Sequence, residues 1–137
     1  EFCEILKGKT SSRTVIIGAQ SGSDEILKKV NRRHCVDDVI KAVETLVKYG
    51  FKVDVDFIFG FPFETEETLN ETKKLIALLI RKYRARIHIH YFMPLPGTPF
   101  ENLTPKLLTK ELRKYLSSLT SKKLAFGQWE NQLGQKS

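Results

Sequence analysis

The stretch that decides the fold is Val53-Asp54-Val55-Asp56-Phe57, and it has a counterpart in Ile87-His88-Ile89-His90-Tyr91. Polar and apolar side chains alternate with period two in both stretches, which is typical of β-strands whose two faces meet different surroundings. We expect helices to cover the apolar face and the polar face to point into a polar interior, such as a barrel lumen. A sheet face open to water, or Asp–His pairs that serve only packing, would give the same alternation.

Three segments of the chain follow one plan, in which an apolar run leads through a Gly- or Pro-containing turn into an amphipathic helix. This plan is typical of parallel βα units. Strands are predicted at about 14–18, 52–59 and 86–92, helices at about 24–30, 36–49 and 66–83, a last helix from Thr104-Pro105, and a polar, fraying tail from about 125 to 137. The sequence therefore predicts an α/β fold: parallel (β/α) repeats that form half of a TIM-like partial barrel, with three main strands and outer helices.

The composition excludes several classes of protein. A chain of 137 residues with 41% hydrophobic and 28% charged residues is one ordinary domain and is neither disordered nor fibrous. Its net charge of +7 is only a weak indication of an anionic partner such as RNA. Cys3 and Cys35 form neither a disulfide framework nor a metal-spaced set, and no long apolar run or signal peptide is present. We expect a cytoplasmic protein.

Four motifs, in order and at plausible separations, resemble the second half of the radical S-adenosylmethionine (radical SAM) enzyme core. The closest resemblance is to the group of methylthiotransferases, oxygen-independent coproporphyrinogen dehydrogenases and cobalamin-dependent enzymes. The motifs are Ile17-Gly18-Ala19-Gln20-Ser21-Gly22-Ser23-Asp24-Glu25-Ile26-Leu27, Asn31-Arg32-Arg33-His34, Asp56-Phe57-Ile58-Phe59-Gly60-Phe61-Pro62-Phe63-Glu64-Thr65 and Met93-Pro94-Leu95-Pro96-Gly97-Thr98-Pro99.

The resemblance implies strands four to six of a (β/α)6 barrel and a set of residues that bind S-adenosylmethionine. Those residues are Gln20, Ser21, Arg32, Asp56, Gly60, Met93 and Pro94. Their chemistry suits the cofactor, because an amide both donates and accepts, a guanidinium clamps a carboxylate, and a carboxylate accepts from ribose hydroxyls. Glycine leaves room for the adenine to lie along the backbone.

Each of these residues also has a purely structural interpretation. Gln20 and Ser21 would serve as helix-capping turn residues, Arg32 as a solvated side chain and Asp56 as a cap for neighbouring backbone. His88 and His90 would bind substrate or a second metal, or would simply be hydrogen-bonded residues of the barrel wall. We predict no catalytic residue and no metal ligand within this sequence, and the roles of the two histidines stay open.

The sequence departs from the family at the cluster motif. Radical SAM enzymes bind a 4Fe–4S cluster through Cys-x3-Cys-x2-Cys, and this sequence, with only Cys3 and Cys35, has no such triplet. We therefore expect the chain to be inactive alone and to generate a 5′-deoxyadenosyl radical only with a missing N-terminal half of the same polypeptide. Unpaired strand edges would also favour self-association. The alternatives are a non-catalytic α/β ligand-binding or oligomerisation module, and a small flavodoxin-like domain.

Overall fold

The computed structural model describes residues 6–9, 13–30, 32–93 and 108–127. Within them, strands and helices alternate through most of the chain. The elements are β1 Leu6–Lys9, β2 Thr14–Gln20, α1 Asp24–Lys29, α2 Val36–Lys48, β3 Lys52–Phe59, α3 Glu66–Tyr83, β4 Arg86–Tyr91, α4 Lys110–Ser121 and β5 Ala125–Gly127. The α/β class and the three predicted strands are confirmed.

The strands form one sheet in the order β1-β2-β3-β4-β5. Strands β2 to β5 run parallel, whereas β1 pairs antiparallel with β2. Between β3 and β4 the register sets Asp54 opposite Arg86, Asp56 opposite His88 and Ile58 opposite His90. The carboxyl ends of β2, β3 and β4 therefore meet at the same edge of the sheet.

One face of this sheet packs on helices and forms the hydrophobic core. Val55, Phe57, Ile87 and Ile89 are fully buried there, in one cluster with residues of α2, α3 and α4. Burial of a large apolar side chain stabilises the fold by about 1.5–3 kcal/mol, so this face accounts for much of the driving force for folding. The period-two alternation predicted that the apolar side chains of β3 and β4 face the helices, and this prediction is confirmed.

Helices α1, α3 and α4, which follow strands as predicted, each begin after a residue whose side-chain hydroxyl caps the helix. Ser23, Thr65 and Thr109 each accept a hydrogen bond from a backbone N–H three residues later, at 3.5, 3.1 and 3.1 Å. Such caps satisfy amides that have no partner within the helix. Gly50 follows α2 with a φ of 89°, the left-handed conformation in which many helices end. No helix in the described ranges is both long and apolar enough to cross a membrane.

The end of the chain differs from the prediction in two ways. The predicted tail begins with a strand, because Ala125 is buried at 3% exposure and pairs with Ile87. The predicted helix start at Thr104-Pro105 lies outside the described residues. The helix that is described starts at Lys110, because Thr109 has an extended backbone and is its N-cap.

The prediction that the three central strands leave two unpaired sheet edges is also wrong within the described part of the chain. Strand β1 pairs with β2 on one side, and β5 pairs with β4 on the other. The chain thus covers with its own backbone the two edges that motivated the prediction of self-association, which itself stays a prediction.

Replacement of Gly22 by alanine tests how closely the turn after β2 packs on α3. A Cβ at Gly22 would lie 2.5 Å from the Thr72 Cα, and the Gly22 N–H donates to Thr72 Oγ1 at 2.9 Å. Because backbone must move to admit the methyl group, we expect Gly22→Ala to lower the free energy of unfolding by about 1–3 kcal/mol in urea denaturation. The exposed control Lys28→Ala should change it by less than about 0.5 kcal/mol. Equal effects of Gly22→Ala and Lys28→Ala on the free energy of unfolding would contradict this close packing.

A second prediction concerns the start of α2. The Cys35 backbone N–H donates to the Asp38 carboxylate at 2.9 Å, and this hydrogen bond lowers the pKa of Asp38. We expect Asp38→Ala to destabilise the chain by about 0.3–1 kcal/mol at pH 7. Because a depressed carboxyl pKa stabilises only the ionised state, the difference from the wild type should shrink as the pH falls below about 4. A pH-independent difference between unfolding curves at pH 7 and pH 3 would overturn this assignment.

Candidate functional site

A cavity of about 280 Å³ lies where β2, β3 and β4 end. We call it the carboxyl-edge cavity, and it is lined by Gln20, Val30, Arg32, Ile58, Phe61, Tyr91, Phe92 and Met93. Three of the residues predicted to bind a cofactor, Gln20, Arg32 and Met93, are therefore brought together from separate segments. Ligands of parallel α/β sheets bind at this edge because the loops after successive strands converge there.

Gln20 ends β2 in an unusual conformation. Its φ is +72°, in the left-handed region, and the register between β2 and β3 shifts between Gly18 and Gln20. The residue is 2% exposed. A non-glycine residue held in such a region costs on the order of 1–3 kcal/mol and persists only where its surroundings impose it, most often at functional sites. The strain favours a functional role for Gln20.

Aromatic rings form the apolar wall of the carboxyl-edge cavity. Phe61 stacks on Phe63 with centroids 5.5 Å apart and lies 5.3 Å from Phe92. These rings pack with Ile26 of α1 in a small cluster separate from the main core. Arg32 is exposed on the other side, while its backbone N–H donates to the Leu27 carbonyl at 2.9 Å. The cavity therefore offers a cation and an amide beside a flat apolar surface.

His34 anchors the segment that carries Arg32. Its ring is buried, and its Nε2 lies 3.2 Å from the Ala19 carbonyl oxygen at the end of β2. This contact joins the segment before α2 to the strand end that carries Gln20. The sequence pattern had indicated only a polar break here, because nothing in the pattern shows which carbonyl a buried histidine will meet.

Ser21 and Gly60 lie away from the carboxyl-edge cavity. The Ser21 hydroxyl accepts a hydrogen bond from the Ser23 N–H at 3.1 Å and lies 3.4 Å from Thr72 Oγ1, so it holds the turn against α3.

Gly60 has a φ of 97° and lines a second, larger cavity of about 610 Å³. Glu64 lines this cavity too, as do Lys73 of α3 and other residues of α3 and α4. Pro94 and Cys3 lie outside the described residues. Cys35 is the N-cap of α2.

Asp56 lies on the inner face of the sheet, which is the face opposite the helices. Its buried carboxylate Oδ1 is 3.0 Å from His88 Nδ1 and 3.6 Å from His90 Nε2, and the two imidazole centroids are 4.1 Å apart. The predicted convergence of these side chains is confirmed. Asp56 itself is not among the residues that line the carboxyl-edge cavity.

Two further residues complete the inner face, and sequence reasoning missed both. Arg86 binds Asp54 through two contacts, Nε–Oδ1 at 3.3 Å and Nη2–Oδ2 at 3.1 Å. Its position two residues before His88 would have placed it on this face by the same period-two argument. Phe126 of β5 stacks on the His88 ring, with centroids 4.4 Å apart and planes 9° apart. Phe126 lies in the segment predicted as a polar tail that it could anchor, and no period-two pattern there assigns it to this face.

The surroundings of His88 favour its neutral form. Burial lowers the pKa of His88, the neighbouring His90 lowers it further, and Asp56 opposes both effects. A neutral imidazole has one nitrogen that carries a lone pair, and that nitrogen can accept a proton or bind a metal ion. The inner face therefore combines a buried carboxylate with two imidazoles.

Comparisons with known proteins agree with the geometry. The family model described as the Radical SAM superfamily matches residues 1–76. Among curated proteins, the threonylcarbamoyladenosine tRNA methylthiotransferase MtaB of Thermotoga maritima is 32% identical over 108 residues, covering 77% of this chain and 24% of that protein. The tRNA-2-methylthio-N(6)-dimethylallyladenosine synthase of Ehrlichia canis is 37% identical over 118 residues, covering 82% of this chain and 26% of that protein.

A solved structure shows the same arrangement of strands and helices. The archaeal Elp3 of Methanocaldococcus infernus, with residues 1–46 deleted, superimposes with a TM-score of 0.52 at 30% identity over 63% of this chain and 20% of its own. The chain thus spans about a quarter of the length of the two methylthiotransferase relatives and a fifth of the Elp3 chain. The partial, TIM-like barrel and the family resemblance are both confirmed. The chain belongs to the radical SAM superfamily.

Proposed function

We propose that this chain is the part of a radical SAM enzyme that binds S-adenosylmethionine, and that the ligand lies in the carboxyl-edge cavity. The observation that carries the proposal is the meeting of Gln20, Arg32 and Met93 around one cavity at the edge where three parallel strands end. Family membership supports the choice of ligand, because S-adenosylmethionine defines the superfamily that matches residues 1–76.

The residues around the carboxyl-edge cavity suit the chemical groups of this ligand. The exposed Arg32 guanidinium can bind the methionine carboxylate through paired charge-assisted hydrogen bonds. The Gln20 amide, which both donates and accepts, suits amino or ribose groups. Phe61, Phe92 and Met93 offer the apolar surface that an adenine ring requires.

The residues of this sequence do not fit the iron–sulfur cluster. A site-differentiated 4Fe–4S cluster takes three converging thiolates, whereas the sequence contains two cysteines that are 32 positions apart. In the proposed whole enzyme the cluster is therefore held by another part of the polypeptide. Held there, it would supply the electron for reductive cleavage of S-adenosylmethionine to methionine and a 5′-deoxyadenosyl radical.

Within that enzyme this chain binds and orients S-adenosylmethionine and shields it from water. The His34 ring holds the α1–α2 connection against the Ala19 carbonyl at the end of β2, and the Arg32 backbone N–H donates to Leu27 of α1. The rings of Phe61 and Phe92, which line the cavity, would exclude water from its apolar side. Such contacts fix the lining of the cavity and would lower the ordering cost of binding.

Removal of the Arg32 guanidinium tests the proposal. We expect the 137-residue chain to bind S-adenosylmethionine in isothermal titration, and Arg32→Ala to weaken binding by about 10- to 100-fold through loss of charge-assisted hydrogen bonds. The matched control is Arg33→Ala, which removes a neighbouring exposed arginine that does not line the cavity and should leave the affinity within about twofold. Absence of binding by the wild type, or equal effects of both variants, would contradict the proposal.

A Gln20→Gly variant separates ligand binding from folding. Glycine adopts the +72° φ of this position without strain, so the free energy of unfolding should change by less than about 1 kcal/mol. The affinity for S-adenosylmethionine should fall by about tenfold, since the side-chain amide is lost. Unchanged affinity with unchanged stability would remove Gln20 from the site.

A further inference from the structure

The inner face of β3 and β4 holds a cluster that the proposed function does not use. Asp56, His88 and His90 each present one potential ligand atom, and all three atoms lie within 4.8 Å of one another. We call this cluster the Asp-His-His triad. We propose that it binds a divalent transition-metal ion of the zinc or ferrous type, in addition to any cofactor in the carboxyl-edge cavity.

The distances within the triad suit such an ion. Two ligand atoms bound at 2.0–2.1 Å to one tetrahedral metal are about 3.3 Å apart. Asp56 Oδ1 lies 3.0 Å from His88 Nδ1 and 3.6 Å from His90 Nε2, which brackets that separation. The third separation, between the two imidazole nitrogens, is within 4.8 Å, so side-chain rotation would bring all three atoms onto one ion. Two histidines with one carboxylate are also a common ligand set for zinc and ferrous iron.

The hydrogen bonding of His90 provides a second, independent observation. Its Nε2 atom is buried and has no hydrogen-bond partner in the described part of the chain. Buried polar atoms in folded proteins almost always have a partner, so an exception needs a physical explanation. A metal ion between His90 and Asp56 would supply the missing partner.

The charges of the inner face also favour a cation. Among the described residues, Arg86 contacts this face, where Asp54 pairs with its guanidinium through two contacts. The Arg86 guanidinium also lies over the Phe126 ring, 4.3 Å from its centroid, and not over the triad. The buried Asp56 carboxylate is an oxygen ligand of the kind that such a cation takes.

The triad is held by rigid parts of the fold. Its members project from paired strands rather than loops, and Phe126 stacks in parallel on the His88 ring and restricts its rotation. Ligands fixed in this way need little reorganisation when the metal arrives. The side chains of His88 and His90 remain 29% and 41% exposed, so an ion can enter from the open side of the sheet.

The place of the triad suggests what the metal would do. The register sets His90 opposite Ile58, which lines the carboxyl-edge cavity, so the two sites adjoin. A metal with three protein ligands keeps at least one position open for water or a substrate oxygen. The ion would thus hold and polarise an oxygen-bearing substrate beside the proposed cofactor site.

Cobalt and zinc titrations of the metal-free 137-residue chain test this inference. We expect Co²⁺ to bind one equivalent with visible d–d bands typical of four- or five-coordinate nitrogen and oxygen ligation, and Zn²⁺ to displace it. A thiolate charge-transfer band in the near ultraviolet would assign the metal to Cys3 or Cys35 and overturn the proposal. His88→Gln and His90→Gln should each weaken binding at least tenfold, because loss of a direct ligand costs no less than loss of a supporting group.

The chain offers a matched control, because His34 is its third histidine and lies outside the triad. His34→Gln should leave the metal affinity within about twofold. If the triad variants fold poorly, the wild type alone still decides the question through histidine ring ¹H–¹⁵N correlation spectra. Zn²⁺ should shift the ring nitrogens of His88 and His90 and leave those of His34 unchanged.

Two results would contradict the proposal outright: no binding of Zn²⁺ or Co²⁺ at micromolar concentrations, or equal loss of affinity in all three histidine variants. Neither result bears on the carboxyl-edge cavity, because binding of S-adenosylmethionine is measured separately and through Arg32. Failure of the metal site and failure of the proposed function can therefore be told apart.

Discussion

The parallel register of β3 with β4 is the constraint on which the rest of the structure depends. It sets Asp56 opposite His88 on one face, and Phe57 opposite Ile89 on the other. Both apolar residues are fully buried, so a slip of one residue would move a carboxylate into the core and is strongly disfavoured. Core packing thereby determines which polar side chains meet on the inner face.

The same pairing separates the two proposed sites while keeping them adjacent. The triad lies within the paired part of β3 and β4, whereas the carboxyl-edge cavity lies where those strands end and their loops begin. Strands provide rigid positions for the triad. The segments after the strands, which carry Phe61, Phe92 and Met93, provide a surface for a larger ligand.

The sequence predicts the central fold well because its patterns are local. Period-two alternation identifies β3 and β4 and the face that each residue occupies, and hydroxyl residues identify where α1 and α3 begin. Strand β5 escapes prediction because Ala125, Phe126 and Gly127 are too few to show a period. They form a strand only because the edge of β4 is there to pair with.

The sites are less predictable than the fold, for a physical reason. The resemblance points to Gln20, Arg32 and Met93, yet only tertiary structure shows that they share a cavity with Phe61. The resemblance also groups Asp56 with these residues, whereas the register directs its carboxylate to His88. The left-handed backbone of Gln20 follows from the register shift at the end of β2, which residue types do not encode.

Backbone chemical-shift mapping of the ¹⁵N-labelled chain with S-adenosylmethionine tests the central claim most directly. The account predicts that the largest amide shifts cluster at Gln20, Arg32, Phe61 and Phe92, where β2, β3 and β4 end. Shifts concentrated instead around Lys73, Thr109 and Leu112, which line the larger cavity between α3 and α4, would contradict it.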